Sequence, residues 1–479
     1  MRKKNTMKAN KFAIISIFFF VLITLLRVFN HIPWYDEAHA WTIAQQLNFV
    51  DMFWYVKSEG HLFLWQLILM PFAKTNFMYP YSMLLLNWAF CLLAVCLLWW
   101  KTPFNNWIKF FITFSFPFLG CYSVVARCYA IGILLLFALT AMFKDKLKYP
   151  VGYSVLLVLC ANTSVMALFG ATMFGVLFLW DWYKNKPEIE RKSIIATVAI
   201  LLIGVILVGL QMFTIDYSII TERQPDSPIL LLRNVFIYHQ PILNSILLVI
   251  FAIPMFWYLA KSKKVLCFII PVYAMMLYLT FARYGCNFWH SYFYYIYLII
   301  ALWLVEVLNP VKAKSKTVAM IVFAIISLLL FRPVMEQKNY QYVYNNIESK
   351  QLLYLIKNDN ELRNAQILHN NSEMYTLLPY AKKSNLKIKN YCSYENDDYN
   401  LLYIVKGNAC VRGNAIGQAM KYPEQFKAFL NQPSYAFISK TKNPKTKSSL
   451  VLGDDFMIYF SIYKCTEKYC FWKINLIQK

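Results

Sequence analysis

The sequence predicts a polytopic all-α membrane domain with a small α/β domain behind it. Three observations predict this. First, runs of roughly 20 apolar residues recur between residues 12 and 331, and each is long enough to cross a bilayer. Second, the chain is 59% hydrophobic and 15% charged, where a soluble protein carries about 25% charged residues. Third, the composition turns polar near residue 332, at "RPVMEQKNYQYVYNNIESKQ".

The net charge of +24 does not indicate nucleic acid, because the cations sit in alternate short connections. Lys144, Lys146 and Lys148 form one cluster, Lys184, Lys186, Arg191 and Lys192 a second, Lys261, Lys263 and Lys264 a third, and Lys312, Lys314 and Lys316 a fourth. This is the positive-inside pattern, and it makes those connections cytoplasmic. The basic start "MRKKNTMKANK" shows no small-residue cleavage site after its apolar run, so 12–29 reads as a retained first span.

The spans follow as about 12–29, 80–100, 108–126, 129–143, 150–166, 167–183, 193–215, 241–260, 265–281, 290–308 and 317–331. About eleven spans from a cytoplasmic start put the tail outside. Parity settles two segments. Residues 61–73, "HLFLWQLILMPFA", are too short for a span, and a crossing there would flip every later basic loop outward. They read as interfacial. A single helix over 150–183 would run about 50 Å, against a hydrocarbon core of about 30 Å. Two short crossings meeting near Asn162–Ser164 fit instead.

The domains are therefore 1–331, with outer loops 30–79 and 216–240, and an extracytoplasmic 332–479. In the tail, "NAQILHNN", "SYAFIS" and "FMIYFSIY" read as strands, and "SEMYTLLPYA" as a helix opened by Ser372. Cys392, Cys410, Cys465 and Cys470 suit disulfides in an oxidising compartment, with free thiols the alternative.

This threading leaves all six histidines outside: His31, His39, His61, His239, His290 and His369. Asp36 and Glu37 stand side by side in the first outer loop, "HIPWYDEAHAW". Beyond them Ile43, Leu47, Val50 and Trp54 recur at helical spacing, which predicts an amphipathic interfacial helix. Neighbouring helix residues point about 100° apart, so the two acids have different jobs. The plain alternative is an N-cap, for which Asp36 is the candidate, beside a solvated acid.

The order of a span, an outer "DE" loop, "GHLFLWQLILMPF", many spans and an outer tail resembles the GT-C class of membrane glycosyltransferases. More narrowly it is similar to the protein O-mannosyltransferase and aminoarabinose transferase superfamily. "WYDEAHAW" matches the acidic first-loop motif. "GHLFLW" resembles a Gly-His-Pro-Pro-Leu segment without its prolines, and "ARCY", with Arg127 and Tyr129, resembles an Ala-Arg-x-Tyr opening of a span. The resemblance implies a polyprenyl-phosphate sugar donor and transfer on the outer side, usually with inversion. It implies Asp36 as the catalytic or metal-associated acid and Glu37 as the second acid of the motif.

The chemistry asks for a carboxylate to take the acceptor's proton and for cations to neutralise the departing phosphate. Arg127 is the first candidate for the phosphate, the alternative being a helix-end anchor at headgroups. Arg283 and His290 in "ARYGCNFWHSYF" form a second candidate, set against a loop of aromatic interfacial anchors. His61 stands ready for donor or acid, although a lone histidine is more often structural. Arg223 lies in loop 216–240, for which the resemblance suggests ordering over the donor. No cofactor is required; a divalent cation on Asp36 is an option, without tight ligand spacing such as His-Glu-x-x-His. The partners implied are membrane lipids, the lipid-linked donor, and a glycan, lipid or protein acceptor. Two other classes compete: a lipid or glycan transporter, expected to show repeated halves and midplane charges, and a non-catalytic glycan-assembly protein.

Overall fold

A computed structural model of the chain describes residues 2–56, 61–185, 188–213, 241–280, 288–309, 314–330, 347–369, 376–380, 386–390, 433–439, 449–452, 456–465 and 469–478. They form two units. One comprises 1–31, 49–68 and 81–343; the other comprises 32–48, 69–80 and 344–479.

The first unit is helical. Its helices are α1 (Arg2–Asn30), α3 (Phe49–Tyr55), α5 (Tyr81–Lys101), α6 (Asn106–Thr113), α7 (Tyr129–Ala141), α8 (Pro150–Ala161), α9 (Val165–Asn185), α10 (Arg191–Phe213), α11 (Pro241–Leu259), α12 (Lys263–Tyr278), α13 (Phe288–Leu308) and α14 (Lys314–Leu329). Helix α4 (Leu64–Lys74) passes from this unit into the second, to which α2 (Tyr35–Gln46) belongs. Among the described residues, five helices are long and apolar enough to cross a membrane: Lys11–Asn30, Tyr81–Lys101, Val165–Asn185, Arg191–Met212 and Trp289–Leu308. Shorter apolar helices accompany them. The segment expected as one span over 108–126 is broken into α6 and a π-helical turn, Pro117–Tyr122. Pro117 has no N–H for the ladder, and the wider turn absorbs the break.

Ion pairs identify which helix ends lie together. Asp181 near the end of α9 receives Lys146 from the α7–α8 connection at 2.8 Å and Lys264 from the start of α12 at 2.5 Å. Glu306 near the end of α13 pairs with Lys316 at the start of α14, and Asn309 donates to the Lys261 carbonyl at 3.0 Å. Exposed Trp180, Tyr183 and Trp257 stand on the same helix ends, as aromatic side chains do at membrane boundaries. The lysine clusters that alternate in the sequence thus gather at one end of this unit.

Helix α13 runs through the middle, with Phe293, Ile296, Tyr297, Ile300 and Leu304 fully buried. Close approach to α9 depends on Gly170. Its N–H donates to the Tyr297 hydroxyl at 3.0 Å, and the hydroxyl donates in turn to the Met166 carbonyl. A Cβ at position 170 would stand 2.7 Å from both Leu136 Cδ2 and Tyr297 Oη. Small residues let helices pack this closely in lipid, where hydrophobic exclusion supplies no drive.

The second unit holds α15 (Ile347–Asn358), α16 (Asn360–Asn364) and six strands: β1 (Gln366–His369), β2 (Lys387–Asn390), β3 (Ser434–Ser439), β4 (Ser449–Leu452), β5 (Phe456–Cys465) and β6 (Tyr469–Gln478). The sheet order is β2-β1-β3-β6-β5-β4. β1 runs parallel to β2 and β3, and the remaining pairs are antiparallel. Leu352 and Ile356, one turn apart on α15, pack with Ile367 of β1, Tyr435 of β3 and Phe471 of β6. Asp359 caps α16 by accepting from the Glu361 and Leu362 N–H groups at 3.0 Å each. The strands expected in "NAQILHNN", "SYAFIS" and "FMIYFSIY" are β1, β3 and β5; most of the helix expected from Ser372 lies outside the described residues.

The first loop departs from its sequence pattern. Ile43, Leu47, Val50 and Trp54 do not share one helical face. Helix α2 ends at Gln46, and Leu47 is extended, with φ −85° and ψ 146°. Its carbonyl accepts from Lys74 Nζ at 2.7 Å instead of continuing the helix. Ile43 and Leu47 are buried, whereas Val50 and Trp54 are exposed.

The Gly170 contact predicts a paired outcome. Gly170→Ala lowers stability by about 1–3 kcal/mol through overpacking. Gly175→Ala on the same helix, where an added Cβ meets nothing within 4 Å, is neutral or stabilising by up to about 1 kcal/mol. Thermal unfolding of both variants in one detergent measures the difference.

Candidate active site

At the end of the helical unit away from the ion-paired lysines, four sequence-predicted residues come together. Residues 61–63 lead into α4 at this end, and His61 forms an isolated antiparallel bridge with Ser164. The Leu64 N–H donates to the Asn162 carbonyl at 3.1 Å. Asn162–Ser164 is the break between α8 and α9, where the sequence placed the meeting of two short crossings.

This arrangement brings His61 to Arg127, which is buried with 8% exposure. The guanidinium Nη2 lies 2.5 Å from His61 Nε2. A guanidinium has only donors, so Nε2 accepts and the ring proton resides on Nδ1. Nδ1 lies 3.6 Å from Cys128 Sγ, which completes the tautomer. Burial first, then the Arg127 charge and His290, hold the His61 pKa well below the usual histidine value. A neutral imidazole is what an arginine can lean on; a protonated one would repel it.

Tyr129 stands between the two histidines. Its ring meets His61 edge-on at 5.7 Å and His290 edge-on at 5.6 Å. The Tyr129 hydroxyl and His290 Nε2 are 2.8 Å apart. His290 is carried on the first turn of α13, and the preceding Trp289 carbonyl accepts from the Tyr122 hydroxyl at 2.7 Å. Asn87 of α5 donates to the Tyr122 carbonyl at 2.9 Å. Helices α5, α7 and α13 and the π-helical turn thereby fix Tyr129 and His290 as a polar patch beside the His61–Arg127 pair.

The two acids lie on α2, in the other unit. Glu37, not Asp36, secures the helix start: its carboxylate accepts from the Trp34 N–H at 3.0 Å and is fully buried. This is the reciprocal half of a capping box. Burial, Tyr380 and Glu37 together push the Tyr79 phenol well above its usual pKa. Asp36 is half-buried in the first turn. The two neighbouring carboxylates therefore differ in burial and direction, as the 100° offset requires. Asn76 Nδ2 donates to the Pro379 carbonyl at 3.2 Å, and Tyr79 meets Tyr380 edge-on at 4.9 Å, so the 69–80 segment packs on the tail.

Arg223, Arg283 and loop 216–240 lie outside the described residues. Among the described residues no three His, Cys, Asp or Glu side chains are grouped to hold a metal ion.

No family model matches the sequence, and no curated protein does. The fold has a solved counterpart: the crystal structure of ArnT from Cupriavidus metallidurans in the apo state. The superposition has a TM-score of 0.57 at 9% identity, covering 97% of this chain and 98% of that one. The chain has an ArnT-like fold. That protein is an aminoarabinose transferase of the GT-C class, and the likeness of fold extends over nearly the whole length. It is a likeness of fold, and the residues of the site stand on the geometry above.

Sequence reasoning missed Cys128, Tyr122 and also Gln211 of α10, whose Oε1 accepts from the Phe63 N–H at 3.1 Å. Gln211 had a visible signal: a lone amide in an otherwise apolar span is costly unless it is bonded.

The lowered His61 pKa has a sign that can be measured. As pH falls below about 6.5, the unfolded chain takes up this proton before the native state does, so stability falls toward acid. The wild type loses more melting temperature between pH 8 and pH 5.5 than His61→Gln, which has no proton to take up there. Equal losses in the two proteins would contradict the neutral His61–Arg127 contact.

Proposed function

We propose that the chain is a membrane glycosyltransferase that moves a sugar from a polyprenyl-phosphate donor to an acceptor at the outer face of the cytoplasmic membrane, with inversion. The observation that carries this reading is the buried Arg127 guanidinium, braced by His61 beside the Tyr129–His290 pair. The ArnT-like fold supports the same class of reaction.

The lysine-rich end is cytoplasmic by the positive-inside rule. The polar patch then faces outward, the chain starts inside, crosses about eleven times and ends in an extracytoplasmic tail. The disulfide bond of Cys470 supports an oxidising surrounding for that tail.

In the reaction, the acceptor attacks the anomeric carbon as the bond to the phosphate oxygen breaks. The bonding electrons leave with polyprenyl phosphate. Arg127, with Tyr129 and His290, neutralises the charge that grows on the leaving oxygen; Arg283 and Arg223 are further candidates for that role. Asp36 takes the acceptor's proton, and Glu37 holds the α2 turn that carries it. If a divalent cation takes part, Asp36 is its ligand. A donor with a polyprenyl tail reaches this patch sideways from the bilayer, which suits a site at the ends of the helices.

Purified protein supplied with polyprenyl-phosphate sugars and membrane acceptors tests the reading. Wild type releases polyprenyl phosphate. Arg127→Ala releases it at least about 100-fold more slowly, and Asp36→Asn about 100-fold to 10,000-fold more slowly. Unchanged turnover in Asp36→Asn removes it as the base. Lipid movement without loss of sugar identifies a transporter instead.

A further inference from the structure

We propose that Gln211 is a positioning residue for this reaction: its buried amide fastens the 61–64 segment to the α8–α9 break and, through His61, sets the direction of Arg127. The inference rests on the proposed transfer chemistry, in which Arg127 meets the phosphate.

Gln211 lies in the last turn of α10 with 1% exposure. Its Oε1 accepts from the Phe63 N–H at 3.1 Å. Its Nε2 donates to the Leu207 carbonyl at 3.0 Å and to Asn162 Oδ1 at 3.3 Å. Every polarity is forced. Phe63 N–H can only donate and the Leu207 carbonyl can only accept, so the amide has one orientation. Asn162 Nδ2 donates to the Val158 carbonyl at 2.8 Å, which leaves its Oδ1 as the acceptor.

Phe63 is two residues from His61 and next to Leu64, whose N–H is held by the Asn162 carbonyl. One amide thus joins three elements: α10, the break between α8 and α9, and the segment that presents His61. Ser164 pairs with His61 from the far side of the same break. Without Gln211 the Phe63 N–H is left unmet in a buried place, and the segment must shift to find a partner. The His61 ring, and with it the guanidinium it braces, moves as well. A carboxylate cannot substitute, since one oxygen would face both the Leu207 carbonyl and Asn162 Oδ1.

The experiment measures steady-state release of polyprenyl phosphate by Gln211→Leu, Gln211→Glu, Arg127→Lys and the double variant Gln211→Leu/Arg127→Lys. Both Gln211 variants are expected to lower kcat about 10-fold with donor KM within about twofold. In the Arg127→Lys background, Gln211→Leu is expected to cost no more than about a further twofold, because residues acting through one group are not additive. A merely structural role gives the full 10-fold again and overturns the inference. So does normal kcat in Gln211→Leu when Arg127→Lys is impaired. Normal turnover in Arg127→Lys overturns the transfer chemistry itself and this inference with it. Should Gln211→Leu fail to fold, Gln211→Glu in the same Arg127→Lys background is read in its place.

Discussion

A guanidinium buried at the end of a helical unit must be met by acceptors, and much of the local architecture follows from meeting Arg127. A neutral imidazole serves if its proton is turned away, so the ring needs a partner on Nδ1, and Cys128 lies there. The ring also needs a fixed backbone, so residues 61–64 are bonded to the break between α8 and α9 rather than left as a free loop. The break divides a segment, 150–183, that as one helix would run about 50 Å against a hydrocarbon core of about 30 Å. A length constraint on two helices therefore supplies the anchor for a cation.

The same unit separates its charges by end. Lys146, Lys264 and Lys316 are matched by Asp181 and Glu306 where the helices are rimmed with exposed tryptophans. The opposite end collects His61, Arg127, Tyr129 and His290. The acids Asp36 and Glu37 sit on a helix of the second unit, where Glu37 is committed to the capping of α2.

Much of this was legible in the sequence because it depends on periodic or local signals. Apolar runs marked the long helices, lysine spacing marked one end, and the polar break Asn162–Ser164 followed from the length of its apolar run together with the basic flanks on both sides. His61, Arg127, Tyr129 and His290 were named from motif residues, yet nothing in their spacing revealed that the first two bond to each other across 66 positions. The capping role went to Glu37 rather than Asp36 because Trp34 is extended and stands at the N-cap, two residues before Asp36. The apolar repeat from Ile43 to Trp54 misled because Lys74, distant in sequence, captures the Leu47 carbonyl and ends the helix. Long-range contacts decided each case where the local pattern failed.

The central claim is that Arg127 is built to receive a lipid phosphate. Equilibrium binding of polyprenyl phosphate to the purified protein in nanodiscs tests it most directly, comparing wild type with Arg127→Gln and with Lys148→Gln at the lysine-rich end. The account predicts at least a 10-fold rise in Kd for Arg127→Gln and no change for Lys148→Gln. Equal affinity in wild type and Arg127→Gln would contradict it.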